Sequence, residues 1–529
     1  MSVTASPKMF LRLGAVALGL VLSLIAQSDR GSIVGTVADP SGAAIPGAMI
    51  RATQTATNLL REATSTETGR FAVSELPPGI YNLTVAKDGF NTFTQTGITV
   101  GVSQVSTVDV TMKIGQLTET IEVKADASIL KTENPELSTA ITNEEITSLP
   151  LDFSNNIRNP MGFIKIVPGS VVNTNDGGWP VTSQNGLQSF TEEIRIDGAP
   201  ATNPTPGVFN EAQPSVDAIQ EFSVQTSNFN PEYGQAGGAI FNFALKSGTN
   251  SLHGSAYEYL RNEFFNAKNK DLSDADPKTK QRRHDTGGTL GGPVIIPRLY
   301  QGRDRTFWFA SFENFYTRDH QLAYWSVPRE EWRNGDLSSL LQPNILGTDI
   351  LDRPIQQGQI YDPNSTRTVT VNGQNYVVRD PFPNNQIPIR SEVAKKVLSF
   401  IPQPTIPGLD GNNLLGITGQ PQRDHRIFSV KMDHNISSKS HLSGSFNYMF
   451  SHKINGADPF GMASAARDQT ITSKVARINH DYTFGPSALN HFTIGLLRYQ
   501  NPDGVPDRGF DPSSELGLNG TLLSGWFPR

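Results

Sequence analysis

The 529-residue chain contains no cysteine. Disulfides and thiolate metal sites are therefore excluded together. Histidine is sparse as well. The nine are scattered, with no H-E-x-x-H pair and no other ligand spacing, so they read as polar strand or loop residues. Beyond the N-terminus no stretch is long and apolar enough for a membrane-spanning helix. That absence excludes nothing about strands, because alternating strands are invisible to a hydropathy window. Positive charge is also in deficit: 44 Lys and Arg against 50 Asp and Glu leave a net charge of −6. The whole chain has no electrostatic footprint for nucleic acid. There is no G-x-S-x-G elbow, no phosphate loop and no dinucleotide fingerprint. Catalytic residues, cofactor-binding residues and metal ligands are therefore expected to be none, and an enzyme would need a clustered acid pair or metal set that is not seen.

Turn formers are plentiful, with 47 Gly and 35 Pro. Residues 1–28 read as an export signal. Lys8 and Arg12 supply positive charge, residues 13–25 an apolar run, and Ala26-Gln27-Ser28 the small residues of a cleavage site. Residues 29–114 read as a compact β-sandwich, with short strands between turns such as Asp39-Pro40-Ser41-Gly42 and Pro77-Pro78-Gly79. Tyr81, Leu83 and Val85 are predicted on one face of a strand, with Asn82 and Thr84 on the other. Glu67 and Glu75 are expected at solvated strand ends.

The next unit, residues 127–250, mixes short strands with a helix at residues 144–148, expected to be capped by Asn143 and stopped by Pro150. Asp197, in Ile196-Asp197-Gly198, invites a catalytic reading, but is expected to be a turn aspartate bonded to its own backbone. A helix is predicted at residues 215–219 and a strand at 221–226. After Ser251 long alternating strands begin. Phe428, Val430 and Met432 oppose Ser429, Lys431 and Asp433; Leu442, Phe446, Tyr448 and Phe450 oppose Ser443, Ser445 and Asn447; Ala476, Ile478, Tyr482 and Phe484 oppose Arg477, Asn479, Asp481 and Thr483. Charge on one face and lipid-compatible groups on the other suit a bilayer-embedded barrel, where every backbone group must be paired.

Between these regions lies GGAIFNFALKSGTNSLHGSAYEYLRN, residues 237–262. It reads as an apolar strand, a Ser247-Gly248-Thr249-Asn250 turn in which glycine tolerates positive φ, and a second, Tyr-rich strand. The segment resembles the seam of Oar-like TonB-dependent receptors, where the last plug strand hands over to the first barrel strand. Thr289-Leu290-Gly291-Gly292-Pro293-Val294 and Asp304-Arg305-Thr306-Phe307-Trp308-Phe309 are similar to two hairpin strands of that family. So are Arg158-Asn159, Pro168-Gly169, Asn185-Gly186 and Phe229-Asn230-Pro231-Glu232-Tyr233-Gly234 in the plug. The first unit resembles the carboxypeptidase regulatory-like domain, a prealbumin-like or carbohydrate-binding-like sandwich, at Gly35, Asp39, Ile45-Pro46-Gly47-Ala48, Thr68-Gly69-Arg70-Phe71 and Leu76-Pro77-Pro78-Gly79.

The resemblance implies a mainly β protein: the N-terminal sandwich, an α+β plug over 127–250, and a partial, incomplete antiparallel transmembrane β-barrel over 251–529 with a long loop at 318–424. Such barrels carry about 22 strands. Only about seven are found after Ser251, so the chain is expected to be an N-terminal fragment. Residues 115–126 form the linker. Within it Glu119, Thr120, Ile121, Glu122, Val123, Lys124 and Ala125 are similar to a TonB box, a tethered segment that adds as a strand to a partner's sheet edge. The implied partners are a TonB-type energising protein, outer-membrane lipid and an external ligand: an oligosaccharide, a peptide or a siderophore. The implied location is the outer membrane, with the sandwich in the periplasm. The alternative is a secreted or surface carbohydrate-binding adhesion protein, which fractionation would reveal as soluble. In the long loop a helix is expected at residues 391–400, with Trp325 and Trp332 packing the loop.

Overall fold

A computed structural model describes residues 30–115, 120–124, 137–148, 158–173, 181–188, 191–202, 213–227, 237–267, 278–319, 321–389, 391–419, 421–461, 464, 466–485, 488–504 and 511–518. The export signal, the helix-stopping Pro150 and the motif at 229–234 lie outside these residues.

Alternating apolar residues and tight turns build the first unit from nine strands. They are β1 (Gly31–Ala38), β2 (Met49–Gln54), β3 (Leu60–Thr64), β4 (Arg70–Leu76), β5 (Gly79–Ala86), β6 (Thr92–Val100), β7 (Val105–Thr107), β8 (Val110–Thr111) and β9 (Thr120–Lys124). One sheet runs β4-β1-β7, with β8 also on β1; the other runs β3-β2-β5-β6-β9. Tyr81, Leu83 and Val85 are fully buried between the sheets, beside Ile33, Ile50 and Phe71. The Tyr81 hydroxyl donates to the Pro77 carbonyl at 2.8 Å, so the buried phenol is satisfied. Asp39 Oδ1 accepts from the Ser41 and Ala43 amides at 2.8 and 3.0 Å, which fixes the first turn.

The second unit has β10 (Leu137–Thr142), β11 (Ser170–Asn173), β12 (Val181–Gln184), β13 (Glu193–Ile196), β14 (Ala199–Pro200), β15 (Ile219–Ser227) and β16 (Ile240–Leu245). Its main sheet runs β10-β15-β16-β13-β14, while β11 and β12 form a separate hairpin. The short helix Asn143–Ser148 is present, but Asn143 does not cap it. Thr142 and Glu145 bond reciprocally, amide to carboxylate at 2.8 Å and amide to hydroxyl at 3.4 Å. This is a capping box, which leaves the Asn143 amide group to donate to the Ile219 carbonyl.

The third unit is one antiparallel sheet in the order β17-β18-β21-β28-β29-β30-β31. Its members are β17 (His253–Asn262), β18 (Gln281–Pro293), β21 (Thr306–Asp319), β28 (Gln422–Ser437), β29 (Ser440–Asn455), β30 (Arg467–Gly485) and β31 (Ala488–Gln500), with the short β32 (Asp503–Gly504) also on β30. At one end the connections are short, residues 438–439 and 486–487, or a small hairpin of β19 (Ile295–Ile296) and β20 (Tyr300–Gln301). At the other end they are long. The longest carries β22 (Gln321–Trp325) paired with β27 (Leu414–Thr418), two hairpins, β23 (Ile345–Thr348) with β24 (Pro354–Gln356) and β25 (Arg367–Val371) with β26 (Gln374–Val378), and the helix Glu392–Phe400 capped by Ser391.

Burial in this sheet is the reverse of a water-soluble protein's. On β28 the polar Ser429, Lys431 and Asp433 are buried, whereas Phe428 and Met432 are 39 % and 51 % exposed. On β30 Arg477, Asn479 and Asp481 are buried while Ile478 is 53 % exposed. On β31 Phe492, Ile494 and Leu496 are all more than half exposed. The alternation predicted from sequence therefore holds, with the polar face turned inward. Among the described residues no helix is long and apolar enough to cross a membrane.

The segment at 237–262 forms two strands that do not pair with each other. β16 lies between β15 and β13 in the second unit, and β17 starts the large sheet on β18. Gly248 between them is not at positive φ, contrary to expectation. It is required by close approach: a Cβ there would lie 2.3 Å from the Trp308 carbonyl oxygen and 2.6 Å from that of Gly292.

Candidate functional site

The second unit packs against the polar face of the large sheet, and its apolar core includes Phe309 and Val475 from that sheet. Around this shared core, buried charge pairs join the two. Asp197 sits at φ +49° in the turn between β13 and β14. It does not bond to its own turn as expected. Its Oδ1 accepts from the Leu245 amide at 2.9 Å and from Lys431 Nζ at 3.1 Å, and Arg477 stands 4.0 Å from Oδ2. Burial opposes the charge on Asp197, yet Lys431, Arg477 and the Leu245 amide hold its carboxyl below the ordinary value. Lys431 also donates to the Leu245 carbonyl at 3.0 Å. One lysine on β28 thus ties together the turn after β13 and the end of β16. Beside it Ser247 donates to Asp433 at 2.5 Å.

A second joint centres on Arg158. Its guanidinium donates to Asp217 at 2.8 Å, lies 3.8 Å from Asp285 of β18, and sits over the rings of Tyr257 and Tyr259 at 5.1 and 4.8 Å. Ser215 and Tyr257 both donate to Glu313 of β21, at 2.5 and 3.0 Å. Burial works against the Arg158 charge, but Asp217, Glu313 and Asp285 outweigh it and hold the guanidinium firmly protonated. Three carboxylates around one arginine make this a joint that a change of geometry would disturb.

The sandwich meets the short-turn end of the large sheet. Arg61 of β3 donates to the Ser438 carbonyl at 3.0 Å, and Asn58 donates to Asp304 at 2.9 Å. Asn250, just before β17, holds the same Asp304, donating to the same carboxylate oxygen at 2.6 Å and accepting from its amide at 2.8 Å. Glu75, expected in solvent, is buried. Its carboxylate is 3.3 Å from His491 Nδ1, which lies 2.5 Å from Asp481. Arg30 is 3.6 Å from Asp481 and donates to Ser443 at 3.3 Å. Glu75, Asp481 and His491 hold donor atoms within 4.8 Å of one another. Arg30 and Arg61 already set two positive charges beside the two carboxylates, so a divalent cation would leave the cluster positive. The trio works as a buried polar joint between the sandwich and the large sheet. A cavity of about 250 Å³ lies beside it, bordered by Gln54, Ser247, Lys431, Asp433 and His441.

Of the TonB-box-like residues, Glu119 and Ala125 lie outside the described residues. Thr120, Ile121, Glu122, Val123 and Lys124 form β9, parallel to β6 at the margin of the sandwich. The linker expected at 115–126 is therefore in part a strand. At the far end of the sheet Trp332 donates to Ser339, and Trp325 stacks edge-on against Phe460, so both pack the loop as expected. Arg333 donates to the Leu398, Ile401 and Pro402 carbonyls, closing the end of the helix Glu392–Phe400. The sequence reading named Lys431, Asp197 and Arg158 without their partners, and it missed Asp217, Asp285 and Glu313. For Asp285 and Glu313 the available signal was a charge on the inward parity of a strand, whereas Asp217, on the short helix Val216–Ala218, had none.

Two family models match the chain. One, described as an outer membrane beta barrel domain, covers residues 244–528, more than half of the chain. The other, a carboxypeptidase regulatory-like domain, covers residues 32–113. The chain is 26 % identical over 314 residues to the TonB-dependent transporter Oar of Myxococcus xanthus, covering 57 % of this chain and 28 % of that protein. It thus spans less than a third of that relative's length. Among solved structures, the outer membrane transporter YddB of Escherichia coli aligns with a TM-score of 0.42 at 10 % identity, over 69 % of this chain and 39 % of that one. The siderophore receptor PirA of Pseudomonas aeruginosa aligns with a TM-score of 0.35 at 14 % identity, over 70 % and 42 %.

Proposed function

The chain belongs to the outer-membrane, Oar-like family of TonB-dependent receptors with an N-terminal carboxypeptidase regulatory-like domain, and from that premise we propose that it forms the gated part of an active transporter for an external ligand. The second unit, residues 127–250, is the plug. The large sheet is part of the surrounding wall, and the connection at 318–424 is the ligand-capturing loop on the outer side. The sandwich lies in the periplasm, at the end with short turns. A TonB-type protein engages Glu119–Ala125, and traction through the linker remodels the plug.

The observation that carries this reading is the inverted burial of the large sheet. Buried Lys431 and Arg477 face the second unit and buried Asp481 faces the sandwich, while Met432, Ile478 and Leu496 face outward. An apolar outer face suits lipid, and a polar inner face suits a reversible contact with a plug, since charge pairs can re-form with water when the plug moves. The ligand classes consistent with the family resemblance are oligosaccharides, peptides and siderophores.

The test is deletion of residues 119–125 in the full-length gene, followed by fractionation and uptake of labelled oligosaccharide, peptide and ferric siderophore. The expected outcome is outer-membrane insertion with energy-dependent uptake of one class lost. Recovery in the soluble fraction refutes the transporter, and unchanged uptake refutes the box.

A further inference from the structure

The sandwich sheet β3-β2-β5-β6-β9 has two margins in different situations. At one, Arg61 of β3 donates to the Ser438 carbonyl, and Met49, Glu62 and Ala63 border Ser438, Lys439 and Gly485 of the large sheet. This margin is occupied by the wall. At the other lies β9, in parallel register with β6 from Thr92↔Thr120 to Thr96↔Lys124. Among the described residues no strand pairs with its outer edge. Four inter-strand steps of about 4.8 Å set the two margins about 19 Å apart. The β3 margin is therefore engaged with the large sheet, and the β9 margin lies on the opposite side of the five-stranded sheet from that contact.

An edge strand offers a row of unpaired N–H and C=O groups, which is a template for another strand. Here that strand is Thr-Ile-Glu-Val-Lys, the centre of the box. We propose that the sandwich displays the box as a preformed edge strand, and that the energising partner adds an extended strand to its free side without first stripping β9 from β6. The five-stranded sheet becomes six-stranded across two proteins. Resting on β6 spares the box the ordering entropy that a loose tether would lose on binding. It also restricts the partner to the backbone groups that point away from β6, so strand direction and register are selected before contact. This inference rests on the box assignment made above, and the experiment separates the two.

The chain has no cysteine, so a Thr94→Cys/Glu122→Cys pair at matched positions in the register gives a clean lock. Thr94 neighbours buried Phe93 and points to the opposite face of β6, so the lock spares the core. The full chain in detergent is titrated with the purified periplasmic domain of the TonB-type protein, oxidised and reduced, by biolayer interferometry. The expected result is quantitative disulfide formation and an oxidised form that binds within about threefold of the reduced form, or tighter. Failure of the disulfide to form overturns the display. So does binding weakened about tenfold or more by oxidation and restored by reductant, because the box must then leave the sandwich. A chain lacking residues 120–124 is the control. If it binds as well as the native chain, or if the native chain does not bind, the box assignment itself fails and the display falls with it.

Discussion

Replacing Lys431 by methionine should loosen the second unit at the end of β16 while leaving the large sheet intact. Lys431 Nζ is the closest cation to Asp197, at 3.1 Å, and also holds the Leu245 carbonyl at 3.0 Å. Both residues are buried. Removing one partner of a buried pair costs about 3–5 kcal/mol, because the other charge is left uncompensated. Arg477, 4.0 Å from the Asp197 carboxylate, retains part of the compensation, so the lower end, about 3 kcal/mol, is expected. That is about a 100-fold rise in the opening equilibrium. The assay is hydrogen exchange by mass spectrometry on the reconstituted full-length protein, under conditions where reclosing outpaces exchange. Peptides spanning β16 should lose about 100-fold protection, and peptides of β29 should change little. Asp197→Asn removes the charge that Lys431 compensates. The double variant should therefore be less damaged than the sum of the singles, with a coupling of about 2 kcal/mol. An effect of Lys431→Met below about threefold, or strict additivity, refutes the view that this pair moors the second unit to the large sheet.

The Gly248→Ala variant should be destabilised by about 1–3 kcal/mol or fail to assemble, because its methyl meets two carbonyl oxygens; denaturant titration of the purified protein checks this. In the long loop, Arg367 and Arg353 hold the Asp380 carboxyl down to about 2. A depressed carboxyl pKa contributes stability above its unfolded value, near 4, and loses it as pH falls through the folded value. Acid-protease cleavage between residues 350 and 380 should thus stay slow at pH 5 and accelerate between about pH 4 and pH 2, and Asp380→Asn should flatten that rise. Cysteines at Asn58 and Asp304, whose side chains are hydrogen-bonded tip to tip at 2.9 Å, stand too far apart for a direct disulfide but should cross-link the sandwich to the large sheet through a short bifunctional maleimide. Absence of the cross-link in intact outer membranes would mean that the sandwich does not dock at this end.

How far the sequence could be read depends on how local the cause is. Alternation on β28, β29 and β30 located the polar and apolar faces, because parity along a strand is a property of the strand alone. The sandwich core followed for the same reason, through Tyr81, Leu83 and Val85. Contacts between units were not legible. Glu75 looks like a solvated strand end until His491, over four hundred residues away in sequence, arrives beside it. Asp197 looks like an ordinary turn aspartate until Lys431 faces it. Gly248 suggested backbone freedom, whereas what demands it is the carbonyl of Trp308. The box read as a tether because its partner β6 lies upstream across a parallel pairing, for which a short sequence window carries no signal.

The order of strands in the second unit decides how it can come apart. β10, nearest the linker, is at the rim of its sheet, whereas β16, which runs straight into the wall, is in the middle and is bolted there through Leu245 to Lys431. In the proposed transporter, traction from the periplasm meets an edge strand first and the centrally paired, Lys431-bound β16 last. On that reading the sheet gives way from the linker side while β16 stays leashed to the large sheet, so a passage can open along the stripped flank and the same thread can rewind to shut it.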